Sequence, residues 1–287
     1  MKFLFFFFLP LIILYAGCNT ADDARTELEK RLESLHDPTS KYILTAAHRA
    51  LHTKFPENSL AAVRHSIESG IDMIEIDVRR TADGVLVLMH DASVERMTNG
   101  KGNIRDLTFN EIKSLHLKNT PKDQQIHPIP TLQEVLKLIK NKILVDIDIK
   151  AAPVNELVEM VRRTGTSDQV LFFQHHNVTH DSILAIDKNF MIVPRAETAI
   201  QVRDFISRYQ PVSIQIPPQI AGPALISEMQ KSGCNGWINA LGDADDLAEA
   251  GKIEEAFFPL VEMGASIIQS DRPDLLLQYL RQTDRHW

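Results

Sequence analysis

Two carboxylates, Glu75 and Asp77, stand two residues apart in Met73-Ile74-Glu75-Ile76-Asp77-Val78. In a strand, alternate side chains share a face, so both acids point one way while Ile74, Ile76 and Val78 point the other. After a turn at Asp83-Gly84, the run Val85-Leu86-Val87-Leu88-Met89 delivers His90 to a strand tip. A second acidic strand, Asp146-Ile147-Asp148-Ile149-Lys150, carries two acids and an ammonium on one face. An earlier apolar run ends in His48-Arg49. Carboxylates fixed on rigid backbone can hold a hard divalent cation, and histidines beside them can move protons. Inward carboxylates between isoleucines are expensive to bury without a cation or hydrogen-bonding partners, which favours the cation over a solvated face.

The elements that must position these residues alternate regularly. Candidate strands cover residues 42–47, 73–78, 143–149, 170–173, 191–193, 213–216, 236–240 and 266–269. Candidate helices lie between them at 59–69, 131–140, 154–163, 179–187, 199–209, 223–231, an acidic stretch 245–263, and 273–282. Asn58 reads as the cap of the first of these helices, and Pro223 and Pro273 suit helix first turns. Eight strands each followed by a helix is the pattern of a (β/α)8 TIM barrel, with 85–89 and 91–130 as a small insertion after strand two. No Gly-rich dinucleotide fingerprint follows the first strand, which disfavours an open doubly wound sheet. A barrel active site forms at the C-terminal rim. There the strands end in His48-Arg49, Gln174-His175-His176, Arg195 and Glu197, Gln215, and Trp237 with Asn239.

The 287 residues are 44% hydrophobic and 24% charged, with a formal charge of −7. The acidic balance argues against nucleic acid as the main partner. Two cysteines are too few for a disulfide framework. Cys18 closes a segment that opens on Lys2, is almost wholly apolar from Phe3 to Leu14, and ends Tyr15-Ala16-Gly17-Cys18. That run is too short to span a bilayer and fits an export signal of the lipoprotein type over 1–17, with Cys18 lipidated. The expected location is therefore a bacterial membrane, on its periplasmic or cell-surface side, through a lipid anchor. Residues 18–40 read as a polar tether or surface helix, with a solvated spacer favoured, and the barrel body as 41–287. Cys234 reads as a small apolar residue beside a strand.

The motifs Ala47-His48-Arg49, Pro56-Glu57-Asn58-Ser59, Glu75-Ile76-Asp77-Val78, Thr81-Ala82-Asp83-Gly84, His90-Asp91, Thr98-Asn99-Gly100-Lys101-Gly102, Ile147-Asp148-Ile149-Lys150 and Asp271-Arg272-Pro273-Asp274 resemble the glycerophosphodiester phosphodiesterase family. The resemblance implies a (β/α)8 barrel, one divalent cation (Mg2+ or Ca2+), and hydrolysis of small glycerophosphodiesters to glycerol 3-phosphate and an alcohol. By resemblance, His48 and His90 match acid/base histidines, and Glu75, Asp77 and Asp148 the metal ligands. Arg49 and Lys150 match phosphate-facing residues, and Glu57 a site carboxylate of unassigned role. Trp237 resembles an aromatic that flanks the substrate alcohol, with core packing as the alternative.

Some positions depart from the family pattern. Ala50 replaces the usual glycine after His-Arg, and Asp148 replaces a longer glutamate. Phe173-Gln174-His175-His176 replaces the usual Ser-Phe, which with Glu197 and Gln215 points to an altered leaving-group pocket. His175 and His176 are read as pocket lining or surface. Two other functions fit these residues: a lipid-directed phosphodiesterase acting on lysophospholipid or phosphoinositide-type headgroups, and a lipoprotein that binds a phosphorylated ligand without turning it over.

Overall fold

The computed structural model describes residues 25–287; residues 1–17, expected to be an export signal, and Cys18 lie outside the described residues. The strands, in order, are β1 Leu44–Ala47, β2 Met73–Arg80, β3 Leu86–Leu88, β4 His116–Leu117, β5 His127–Pro128, β6 Leu144–Ala151, β7 Val170–Gln174, β8 Met191–Pro194, β9 Ser213–Gln215, β10 Asn235–Asn239 and β11 Ile267–Ser270. The helices are α1 Glu27–His36, α2 Leu60–Glu68, α3 Phe109–Lys113, α4 Leu132–Ile139, α5 Val154–Thr164, α6 Asn177–Ile186, α7 Ala199–Tyr209, α8 Pro223–Lys231, α9 Asp243–Glu249, α10 Ile253–Glu262 and α11 Pro273–Gln282.

Eight strands pair in parallel in the order β8-β7-β6-β2-β1-β11-β10-β9. A parallel bridge between Arg195 and Gln215 joins the two ends and closes the barrel. Closure and the surrounding helices together cover both faces of these parallel strands. Outward Ile74, Ile76 and Val78 pack with Ile147 and Ile149 against the helices. Helix α4 shows the matching stripe, with Leu132, Val135, Leu136 and Ile139 all buried at helical spacing. Inward Met73, Leu144, Leu171, Trp237 and Ile267 form a separate apolar layer low in the barrel.

Helix α1 joins that layer, because Leu35 is fully buried and belongs to the same cluster. The folded body therefore begins before residue 41: within the segment favoured as a solvated spacer, α1 forms the floor of the barrel. Thr26 and Glu29 form a reciprocal cap at its start. Arg31 reaches from α1 into the protein, its Nε 3.2 Å from Asp72 Oδ1 and its Nη1 donating to the Lys142 carbonyl at 2.7 Å.

The insertion is as expected outside the barrel count. β3 runs antiparallel to β2, pairing Val78 with Leu88 and Arg80 with Leu86. It carries its own small core of Val87, Met89, Val94, Ile104, Ile112, Leu117 and Ile129. Two local expectations are corrected. Ser59, not Asn58, caps α2, its side chain accepting from the Ala62 amide. The acidic stretch 245–263 is two helices, α9 and α10, separated at Gly251 with φ +82°.

Candidate active site

The parallel register sets Glu75 beside Asp146 and Asp77 beside Asp148. Four carboxylates thus form a block on two neighbouring strands, above the apolar layer. Ligand oxygens of Glu75, Asp77 and Asp148 all lie within 4.8 Å of one another, a set that could hold a metal ion. The block is electrostatically short of positive charge. Burial first, then Asp77 and Asp148, push the Glu75 carboxyl well above its ordinary range. Burial, with Asp148 and Asp77, does the same to Asp146. For Asp148, burial raises the pKa and Lys150 only partly offsets it.

Partial compensation comes from Lys150, Arg49 and Asn58. Lys150 Nζ donates to Asp148 Oδ2 at 2.6 Å and lies 3.3 Å from Asp77 Oδ1. The Arg49 amide donates to Glu75 Oε2 at 2.8 Å, and Arg49 Nε stands 3.6 Å from Asp77 Oδ2. Asn58 donates from Nδ2 to Asp77 Oδ2 at 2.7 Å, while its Oδ1 accepts from the Asp77 amide. Even so, Asp77 Oδ1 and Asp146 Oδ1 are buried without a hydrogen bond. An all-oxygen donor set with buried, unsatisfied acceptors fits a hard divalent cation. Asp146 lies outside the three-residue set, deeper in the barrel, and does not touch Lys150 by hydrogen bond.

The two histidines flank this block in matching settings. His48 Nδ1 is 2.8 Å from Asp271 Oδ1, and His90 Nδ1 is 2.8 Å from Asp91 Oδ1. A carboxylate on Nδ1 fixes the ring and leaves Nε2 as the nitrogen for proton exchange. Asp271 is held in turn by Asp245 on α9, which accepts from the Asp271 amide at 2.7 Å. Arg79, beyond the rim on β2, donates to the His90 carbonyl from Nε and Nη2 at 3.0 and 2.6 Å, fixing the backbone there. His48, Glu75, Asp146, Asp148, His175 and Asn239 share the wall of a cavity of about 120 Å³. A larger groove of about 630 Å³ adjoins it through Arg195, Gln215, Asn239 and Leu241. Ile216, Pro217, Pro218 and Leu247 give that groove an apolar side.

Several residues behave otherwise than expected, or were not anticipated. Glu57 faces arginines, with Arg49 Nη1 3.1 Å from both of its oxygens. Trp237 is fully buried in the lower apolar layer and donates from Nε1 to Asn239 Oδ1 at 3.2 Å. Of the two places expected for it, the structure has core packing rather than the cavity wall, and Asn239 above it lines the cavity. Ala50 adopts the left-handed backbone that a glycine would take freely, at φ +63°. His175 lines the cavity with its ring edge-to-face on Phe173, as expected of a lining residue. Glu197 pairs with Arg195 at 2.6 Å. Asn58 and Arg96 are the residues that strand-based reading missed, since both act from loops.

A closed parallel barrel with clustered carboxylates and two carboxylate-braced histidines at its C-terminal rim has the groups of a hydrolytic site beside a candidate cation site. Residues 48–208 match the model of the Glycerophosphoryl diester phosphodiesterase family, and the chain belongs to that family. It is 30% identical over 197 residues to a glycerophosphodiester phosphodiesterase of Bacillus altitudinis, covering 64% of this chain and 78% of the relative. The crystal structure of a glycerophosphoryl diester phosphodiesterase from Parabacteroides distasonis superposes with a TM-score of 0.78 at 25% identity, over 90% of this chain and 93% of that one. The fold is shared as well by an Oleispira antarctica phosphodiesterase solved with the product sn-glycerol-3-phosphate, at TM-score 0.71 and 21% identity, over 84% of this chain and 97% of that one.

Proposed function

We propose that the chain hydrolyses small glycerophosphodiesters to glycerol 3-phosphate and an alcohol, with Glu75, Asp77 and Asp148 holding one divalent cation, Mg2+ or Ca2+. The observation that carries this reading is the pairing of two histidines, each fixed through Nδ1 by its own aspartate, beside a carboxylate set with unsatisfied oxygens. One histidine takes the proton from the attacking hydroxyl as its oxygen bonds to phosphorus. The other protonates the alcohol oxygen as the P–O bond to it breaks. Arg49 and Lys150 orient the non-bridging phosphate oxygens and offset charge that develops on them. A bound cation supplies Lewis-acid stabilisation of the same oxygens. The names and product of the relatives support the substrate class.

The test is turnover on a panel of phosphodiesters, glycerophosphocholine first, with and without EDTA. The expected result is metal-dependent release of glycerol 3-phosphate, and a loss of roughly 10²–10⁴-fold in kcat for His90→Ala with metal present. Near-full activity of His90→Ala would overturn the assignment, and tight phospho-ligand binding without metal-stimulated turnover would favour a binding protein instead.

The apolar groove beside the cavity favours one second reading, a diesterase for lysophospholipid-type substrates whose acyl chain lies there. Comparing turnover on glycerophosphocholine with micellar lysophosphatidylcholine separates the two. We also infer that Cys18 is the lipidated first residue of an exported lipoprotein. The sequence ending in Ala16-Gly17-Cys18 supports this, and failure of Cys18→Ala to alter fatty-acid labelling of the expressed protein would refute it.

A further inference from the structure

Arg96 lies in the insertion after β2, between the two halves of the site, and the proposed hydrolysis assigns it nothing. Its guanidinium makes two forks. Nε and Nη2 donate to Asp91 Oδ2 and Oδ1 at 2.6 and 3.0 Å. Nη2 and Nη1 donate to Glu57 Oε1 and Oε2 at 2.7 and 3.1 Å. Each of those carboxylates holds a working residue with its remaining capacity: Asp91 the Nδ1 of His90, Glu57 the Nη1 of Arg49. Arg49 in turn donates its amide to Glu75. One guanidinium therefore joins the histidine on the insertion to the arginine on the first barrel loop.

We propose that Arg96 is a positioning residue that locks His90 and Arg49 into one frame, so that the proton-transferring ring and the phosphate-facing guanidinium keep a fixed spacing. The proposal rests on the hydrolytic reading above. A planar fork can satisfy two carboxylates at once, whereas an ammonium cannot reproduce both bidentate contacts. The carboxylates respond to it. Arg96, ahead of His90, holds Asp91 well below the usual carboxylate range, against the effect of burial. Burial raises Glu57, yet Arg96 and Arg49 together bring it below its ordinary value. The Arg96 side chain is 44% exposed, so solvent screens these pairs and their share of global stability is small. An arginine with little weight in stability and two forks onto the carboxylates that hold His90 and Arg49 is placed for geometry.

The experiment compares Arg96→Lys and Arg96→Met, alone and combined with His90→Ala, by steady-state kinetics and thermal unfolding. Outer partners of this kind are typically worth 10–100-fold in activity. The expected result is a fall of roughly that size in kcat for both variants, with melting nearly unchanged. In the His90→Ala background the further fall should shrink to under about threefold, as for residues that act as a unit. Wild-type kcat in both Arg96 variants, or a fall of undiminished size when His90 is already absent, would overturn the proposal. Should Arg96→Met fail to fold, Arg96→Lys carries the same comparison. The ring 15N resonances of His90 give a readout independent of turnover. A shift in the tautomer ratio away from Nδ1–H in Arg96→Lys supports the frame, and an unchanged ratio refutes it. An inactive wild type with that shift present would sink the hydrolytic reading and leave the frame standing.

Discussion

Asp271 and Asp91 decide what His48 and His90 can do, because each selects which ring nitrogen keeps its proton. Asp271→Asn should lower kcat on glycerophosphocholine by on the order of 10²-fold or more, since an amide can present N–H to Nδ1 and favour the wrong tautomer. Steady-state kinetics with saturating metal checks this, with unchanged melting as the control for folding. The acids and histidines of the site were legible because strand alternation fixes the face on which Glu75, Asp77 and Asp148 lie. Height along the barrel is not encoded in that alternation. Trp237 and Asn239 share an inward face, but one fills the apolar layer and the other lines the cavity. Asn58 illustrates a different limit. Asn and Ser both cap helices, and what hands the cap to Ser59 is the left-handed backbone at Asn58, φ +56°, together with its amide's contact with Asp77. Arg96 could not be found from spacing at all, because its partners lie five and thirty-nine residues away.

At the scale of elements, the alternating beat of strand and helix was readable from apolar runs, and α7, α8 and α11 match their expected bounds. Besides the stretch 245–263, which divides into two helices, α1 was misjudged: its polar composition looks solvated because its burial depends on a few residues. Arg31 is 4% exposed and Asp72 fully buried, with His286 Nε2 2.9 Å from Asp72 Oδ2 and the Thr45 amide donating to the same oxygen. Burial opposes ionisation of Asp72, yet His286 and Arg31 hold its carboxyl below the usual range. Breaking one side of a buried pair leaves an uncompensated charge, so Arg31→Met should destabilise by roughly 3–5 kcal/mol. Urea unfolding measures this. A chain begun at Lys41 should be less stable still, since it also uncovers the apolar layer that Leu35 seals.

For the whole molecule, the acidic block makes stability depend on pH and cation together. Glu75 and Asp146 have folded-state pKa values raised above their unfolded ones, so the native state binds more protons than the unfolded chain in that window. Without a cation, stability should therefore fall as pH rises from the ordinary carboxylate range through the raised values. A cation bound only by the native state reverses this, by about 2.7 kcal/mol at a concentration of 100 Kd. Melting scans at pH 5 and pH 8, with EDTA and with Mg2+ or Ca2+, should show a larger cation-induced rise at pH 8. Equal rises at both pH values would mean that the block is not the binding site.

The floor formed by α1 also bears on which way the enzyme faces. The catalytic rim is at the opposite end of the barrel from α1, whereas Cys18 precedes the first described residue, Arg25, by only seven positions. Fully extended, that stretch spans at most about 25 Å. A lipid on Cys18 would hang the barrel by its floor, with the mouth turned outward to the surrounding medium. Lipids of the anchoring leaflet would then lie behind the enzyme, and its diet would be diesters arriving by diffusion. A vesicle-tethered enzyme should accordingly cleave added glycerophosphocholine at its untethered rate and spare lysolipid embedded in its own vesicle.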